Sequence, residues 1–325
     1  MTEQQAQVQV DGVRPSLTAG QIVERYGSVI VLFCLFAAMS LASDRFLAID
    51  NLTNVARQIS INMIIACGMT LIIISGGIDL SVGSLTALAS CVGMTVLVKT
   101  GSSAAGISAG LATGLLAGIF NGAAVAWARL PPFIVTLASL TILRGLALML
   151  TGGSPIIVTS GAYLVLGRGD VLGLPIPVLL MILTVIAVWM LLSRTSFGAH
   201  LYAVGGNEEA ARLSGVRVTL TKFAAYAVCG ALSGLAGMVL TARLSSAQPN
   251  TGEGFELDAI AAVVLGGTSL MGGRGSVWGT VVGACIIGIL NNGFNLMAVD
   301  SHVQLVAKGL IILLAVFADQ FLKRR

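Results

Sequence analysis

Charge is what this sequence has least of. Asp, Glu, Lys and Arg together make up 10% of its 325 residues, against 56% hydrophobic residues and a mean hydropathy of +0.95. A water-facing globule carries about 25% charged residues, so a soluble enzyme is excluded. Disorder is excluded too, since it needs low hydrophobicity and high charge. Histidine is almost missing: His200 and His302 stand alone and offer no metal site. The cysteines, Cys34, Cys67, Cys91, Cys229 and Cys285, lie inside apolar runs without a Cys-x-x-Cys pair. They read as small buried side chains rather than disulfides or metal ligands. None of the lysines, Lys99, Lys222, Lys308 and Lys323, closes a G-x-x-x-x-G-K-[ST] loop, and neither G-x-S-x-G nor H-E-x-x-H occurs. The chain is therefore expected to carry no ATP site of that kind, no catalytic constellation and no cofactor of its own. A net charge of +4 gives no reason to expect nucleic acid.

What is present is a series of long apolar runs rather than the short alternating segments of a membrane β-barrel. They cover Ser28–Ala42, Val55–Ser75, Ser81–Val98, Ile107–Ala128, Phe133–Leu150, Pro177–Leu192, Lys222–Ala242, Val277–Met297 and Val303–Phe321, with a shorter one at Leu257–Gly266. A helix crossing the hydrocarbon core takes about 20 residues, so the fold class is all-α and polytopic. The 40 glycines fit helices that pack closely in lipid. Counting the short run gives about ten spans and puts both termini on one side of the membrane. That side then holds Arg14, Arg25, Arg129, Arg194, Arg212, Arg217, Lys222, Arg274, Lys323, Arg324 and Arg325. The other holds Arg45, Arg57, Lys99, Arg168 and Arg243. Positive charge favours the cytoplasm, and Trp127, Trp189 and Trp278 fall at span ends on the same side. The expected organisation is a polar cytoplasmic leader at 1–27, a membrane domain at 28–321 with a cytoplasmic loop at 193–221 and an external loop at 151–176, and a basic tail at 322–325. The leader is too long and too acidic for a signal peptide.

Polar residues within this apolar chain are the functional candidates. Gly76-Gly77 break the second run, and Asp79 can cap the helix that follows, with Ser81 beside it; the alternative is a tight hairpin near a gate. The acidic residues Asp79, Asp258 and Asp319 all fall near segment ends, where capping or interfacial water accounts for them. Arg144 and Lys308 lie within spans and receive no function. Asn51-Leu52-Thr53 is formally a glycosylation sequon. Asn291 and Asn295 share a helix face, with Asn292 alongside; they either bridge helices or line a polar route. At 207–215, Asn207 can cap a two-turn helix whose start holds Glu208 and Glu209 and whose end is Gly215. Such a helix outside the bilayer suits a groove on a soluble partner.

The stretches Gly68–Ser84, Tyr202–Gly215, Ala242–Pro249, Gly254–Leu270 and Leu290–Leu296 carry a resemblance that extends over nearly the whole chain from Ala48. The sequence resembles the membrane permeases of ribose-type ATP-binding-cassette (ABC) importers, within the larger group of sugar and branched-chain amino-acid permeases. The resemblance implies a ten-span permease fold working as a homodimer in a bacterial inner membrane. It also implies a periplasmic sugar-binding protein and a separate ATPase with two fused nucleotide-binding domains, where ATP and magnesium would sit. Gly206, Asn207, Glu208, Ala211, Arg212, Ser214 and Gly215 would then form the helix that couples to the ATPase. Ribose is the first choice of sugar, with xylose, arabinose, galactose and furanone-type signalling sugars open. The competing reading is an ion- or proton-coupled transporter of a small polar solute.

Overall fold

The computed structural model describes residues 19–322 and is almost entirely helical. The leader before residue 19, and Lys323, Arg324 and Arg325, lie outside the described residues. The helices, in order, are α1 (Ala19–Ala42), α2 (Ile49–Ile74), α3 (Val82–Thr100), α4 (Ser103–Ala126), α5 (Pro132–Thr151), α6 (Gly161–Arg168), α7 (Ile176–Arg194), α8 (Ser196–Gly206), α9 (Glu208–Leu213), α10 (Val218–Leu244), α11 (Phe255–Leu265), α12 (Val277–Leu296) and α13 (Ser301–Leu322). Seven of them, α2, α3, α4, α5, α7, α10 and α12, are long and apolar enough to cross a membrane. The chain is a multi-pass membrane protein.

α2 is the hub. It is apolar on all sides, as a helix buried all round must be, and its residues from Ile59 to Ile74 are buried with one exception, Asn62. Around it stand α7, α10, α11 and α12. α4, α5 and α7 bury only one face and leave leucines, isoleucines and phenylalanines bare on the other. Apolar residues facing outward are tolerated where the solvent is lipid.

The closest packing is between α4 and α10. Gly106, Gly110, Gly114, Gly118 and Gly122 are buried on α4, and a spacing of four stacks them on one face. A Cβ at Gly114 would lie 2.8 Å from the Gly234 Cα, and one at Gly122 would lie 2.8 Å from the Phe223 carbonyl oxygen. Lipid offers no hydrophobic force between helices, so association rests on such close approach and on hydroxyl bonds. Across the seam from α3, the Ser90 hydroxyl donates to the Gly237 carbonyl at 3.0 Å. The Thr86 hydroxyl donates to the Ser233 carbonyl at 3.3 Å.

Several expectations change. α11 has 11 residues, about 16 Å of helix, which is half the ~30 Å hydrocarbon thickness. It is a half-span, not a full one. The loop before it, 245–254, folds into the bundle: the Arg144 guanidinium donates to the Thr251 carbonyl at 2.8 Å and also to that of Pro249. Loop 151–176 is not irregular throughout. It contains α6, whose Tyr163 is buried and donates its hydroxyl to the Met238 carbonyl at 2.6 Å. The 193–221 stretch, expected as a loop, contains α8, anchored by buried Leu201 and Val204. Cys34 is exposed on α1, while the other cysteines are buried or half-buried and all are free. The sequon asparagine, Asn51, is engaged by Asn292 and the Phe46 carbonyl.

Candidate functional site

The polar residues singled out from the sequence fall in three places. The first is the turn between α2 and α3. Gly76 adopts φ +81, open to glycine at no cost, and a Cβ at Gly77 would lie 2.7 Å from the Tyr226 hydroxyl. Asp79 is completely buried rather than interfacial. It does not cap α3 either: the N-cap is Ser81, which makes no side-chain cap bond. Two residues ahead of the cap, the Asp79 carboxylate accepts from the Ser81 amide at 2.8 Å and from the Ser81 hydroxyl at 2.6 Å. The Asn121 amide donates to the Ser81 hydroxyl at 2.9 Å, and Ser139 donates to Asn121, so the turn is tied to α4 and α5.

The second place is a polar cavity of ≈ 190 Å³ at one end of the bundle. α2 contributes Gln58 and Asn62, the end of α10 contributes Arg243, and α11 contributes Asp258 with Glu253 just before it. Asn291 and Asn295 enter from α12, and Gln304 and Lys308 from α13. The Lys308 ammonium lies 3.2 Å from the Asp258 carboxylate, which also accepts from the Asn291 amide at 3.3 Å. Asp258 is therefore held by a counter-charge, and Lys308 has a partner. The Asn291 carbonyl oxygen is buried and accepts nothing. A buried acceptor left unmade costs about 1–3 kcal/mol, so a ligand hydroxyl there would be favoured. The lining holds two cationic and two anionic side chains, so its formal charges balance. Asn292, expected beside the route, instead exchanges amide hydrogen bonds with Asn51 at 2.9 and 3.2 Å and bridges α12 to α2. Asn295 accepts from Gln304 at 3.3 Å.

The third place is α9, at the other end. The 23 residues of α10 from Val218 to Leu240, about 33 Å of helix, separate the two. Asn207 caps α9 by accepting from the Ala210 amide at 2.9 Å, and Gly215 ends the turn at φ +83. Both features follow from the sequence. Glu208 binds Arg212 at 2.8 Å and Lys222, while Glu209 binds Arg212 at 2.7 Å. The Lys222 hydrogen bond, with the charges of Lys222, Arg212 and Arg129, holds the Glu208 carboxyl below the usual range against partial burial. Ser214 back-bonds to the Ala210 carbonyl at 2.9 Å, and Gly206 is exposed at the start of the turn. Ala211 turns inward, 4% exposed, against Val204, Val216 and Val218, so it seats the helix rather than meeting a partner. The residue that faces out is Leu213, 82% exposed. Its signal was available: it stands two positions from Ala211, about 200° round the helix.

The site residues expected from sequence thus form separate groups: Gly76, Gly77, Asp79 and Ser81 in one turn, Asn291 and Asn295 in the cavity, and Gly206–Gly215 on the α9 surface. Asp258, Lys308, Gln58, Asn62 and Gln304 join the cavity from segments far apart in sequence. Among the described residues no group of His, Cys, Asp or Glu could hold a metal ion.

A bundle of this kind, with a polar cavity toward one end and a charged surface helix at the other, defines a multi-pass membrane protein of the transport class. The chain belongs to the family described as branched-chain amino acid transport system / permease component, whose model matches residues 51–316. It is 46% identical over 301 residues to the ribose import permease protein RbsC of Bacillus subtilis (strain 168), covering 92% of this chain and 94% of that one. Against the protein of the same name from Escherichia coli (strain K12) the identity is 47% over 296 residues, 90% and 92% of the two chains. The L-arabinose transport system permease protein AraH of Escherichia coli (strain K12) is 38% identical over 308 residues, 95% and 94% of the two. No solved structure matches.

Proposed function

We propose that this chain is the membrane-spanning permease subunit of an ABC importer for a monosaccharide, ribose by first choice. In this reading a periplasmic binding protein delivers the sugar, and a separate ATPase with two fused nucleotide-binding domains supplies the energy. The observation that carries the reading is the cavity between α2, α10, α11, α12 and α13. It balances its charges, presents amides, and leaves the buried Asn291 oxygen without a donor. A neutral polyhydroxylated solute suits that lining, and an inorganic ion does not. The relatives named for ribose import support the choice of sugar.

The permease works as a homodimer in the bacterial inner membrane, with ten crossings and both termini in the cytoplasm. α1, α13 and the half-span α11 with its re-entrant loop complete the seven long spans. α9 then lies in the cytoplasm and docks on the ATPase through Glu208, Arg212 and Leu213. Asn207, Ser214 and Gly215 shape its ends, and Gly206 sits at its approach. The turn at Gly76–Ser81 stands as the gate.

Proteoliposomes test this directly. Uptake of labelled ribose should require the ATPase, ATP and the binding protein, and should survive an uncoupler. Uptake that persists without the ATPase, or collapses with the uncoupler, returns the chain to the class of coupled carriers. Ser160→Cys in a cysteine-free background should label from outside in intact cells.

A further inference from the structure

A second groove, of ≈ 510 Å³, opens between the end of α4 and the junction of α9 with α10. Trp127, Arg129, Arg212, Arg217 and Leu220 line it. Arg212 is already neutralised by Glu208 and Glu209. Arg129 and Arg217 are both exposed, and among the described residues neither has an ion-pair partner. Two guanidinium groups outside contact with any carboxylate, Arg129 acting on Glu208 only at longer range, therefore face one cleft, and that cleft attracts an anion. The backbone of Arg129 is in the left-handed region, φ +54, a conformation that a residue with a Cβ keeps only where its surroundings enforce it.

The neighbourhood of the groove decides which anion. Trp127 stacks on Phe223 with ring centroids 4.6 Å apart and is still 58% exposed. Indoles at the end of a membrane helix favour the headgroup level. Leu116 and Phe120, 63% and 60% exposed, continue the face of Trp127 along α4. Leu220 adds apolar surface from α10. The basic cleft thus runs without interruption into an apolar strip on two helices long and apolar enough to cross a membrane. A soluble acidic partner would cover the arginines and leave the strip bare. An amphiphile with an anionic head covers both.

We infer that this groove is a binding site for an anionic phospholipid. Arg129 and Arg217 hold the headgroup phosphate, and the acyl chains lie along Trp127, Phe120 and Leu116. Basic pockets between membrane helices recognise anionic headgroups by this chemistry. The inference requires only that α4 and α10 cross the bilayer, so it stands apart from the choice of sugar.

The test uses Trp127 as its own reporter. In the full chain, Trp189→Phe with Trp278→Phe leaves one indole, and the protein is reconstituted in phosphatidylcholine nanodiscs. Dibrominated phosphatidylglycerol should quench Trp127 at a much lower lipid fraction than dibrominated phosphatidylcholine. Each arginine near an anionic headgroup contributes roughly fivefold in affinity, so Arg129→Gln with Arg217→Gln should weaken the preference on the order of 25-fold. Arg129→Lys with Arg217→Lys should keep most of it, which separates loss of charge from loss of fold. Preference unchanged in the glutamine variant overturns the proposal. Release of the quenching by inorganic phosphate would overturn it in favour of a small-anion site. Release by the purified ATPase would overturn it in favour of a protein interface.

Discussion

Lys308→Met isolates the ion pair in the cavity. The Asp258 carboxylate and Lys308 ammonium are 3.2 Å apart, with side chains 7% and 23% exposed. At that separation the attraction is about 5 kcal/mol with an effective dielectric near 20. Removing both charges from water costs several kcal/mol per ion, so the intact pair comes close to breaking even. Removing one partner is different. It strands a buried carboxylate whose remaining support is one 3.3 Å bond from Asn291. Lys308→Met should therefore destabilise the chain by about 3–5 kcal/mol. Asp258→Asn combined with Lys308→Met should recover most of that loss, because no lone charge remains. SDS titration of the purified protein in mixed micelles measures both. The reasoning is refuted if the single variant loses under about 1 kcal/mol, or if the double variant is no more stable than the single one.

Other expectations follow from the same contacts. Asn291→Leu should cut ribose uptake sharply with the complex intact, because the cavity loses its free acceptor. Asn292→Leu should instead lower stability by about 1–3 kcal/mol through the stranded Asn51 amide, and uptake normalised to folded protein would stay near wild type. Gly230→Val should prevent stable α4–α10 packing, since its Cβ would strike the Gly114 carbonyl; full expression of a stable protein would contradict the seam. Arg212→Glu should abolish uptake and weaken ATPase co-purification with membrane insertion unchanged, and retention of both would make α9 a mere connector. The Glu208 carboxyl is held below its ordinary range. Its contribution to α9 is therefore complete above the unfolded value of about 4.3 and is lost as pH falls through the lowered folded value. A spin label at Leu213 should keep its mobility from about pH 8 to about pH 5, and mobilisation that begins near pH 6 would refute the clamp.

The long spans were legible because lipid asks little of a helix beyond length and apolarity, and both are local properties. α9 was legible for the same reason: Asn207 and Gly215 punctuate it within nine residues of sequence. What stayed hidden was everything that depends on depth. Asp79 and Asp258 stand next to segment ends in sequence, and so read as interfacial. The fold buries both places, the one in a sealed turn between α2 and α3 and the other against Lys308. No local pattern records re-entry, because a half-span such as Phe255–Leu265 has the composition of a full one and only its length betrays it. The asparagines show the same limit. Their spacing gives a shared face, but that Asn292 belongs to Asn51 while Asn291 faces the cavity depends on a partner more than two hundred residues away.

The glycine seam has a mechanical consequence. Most of the contact between α4 and α10 is backbone against glycine, with few side chains between them, Met238 at Gly110 among them, so the two helices form one tightly fitted plank. α9 leads into that plank through a linker only four residues long, Ser214 to Arg217. If α9 docks as proposed, a push on it would reach the far end of α10, where Arg243 borders the cavity. The compliance that transport needs must then reside in the thinly packed periphery, in α13 above all, whose sole extensive packing among the described residues is against α11. The molecule divides into a tightly packed pair and a thinly packed wall, and the proposed sugar cavity lies where the two meet.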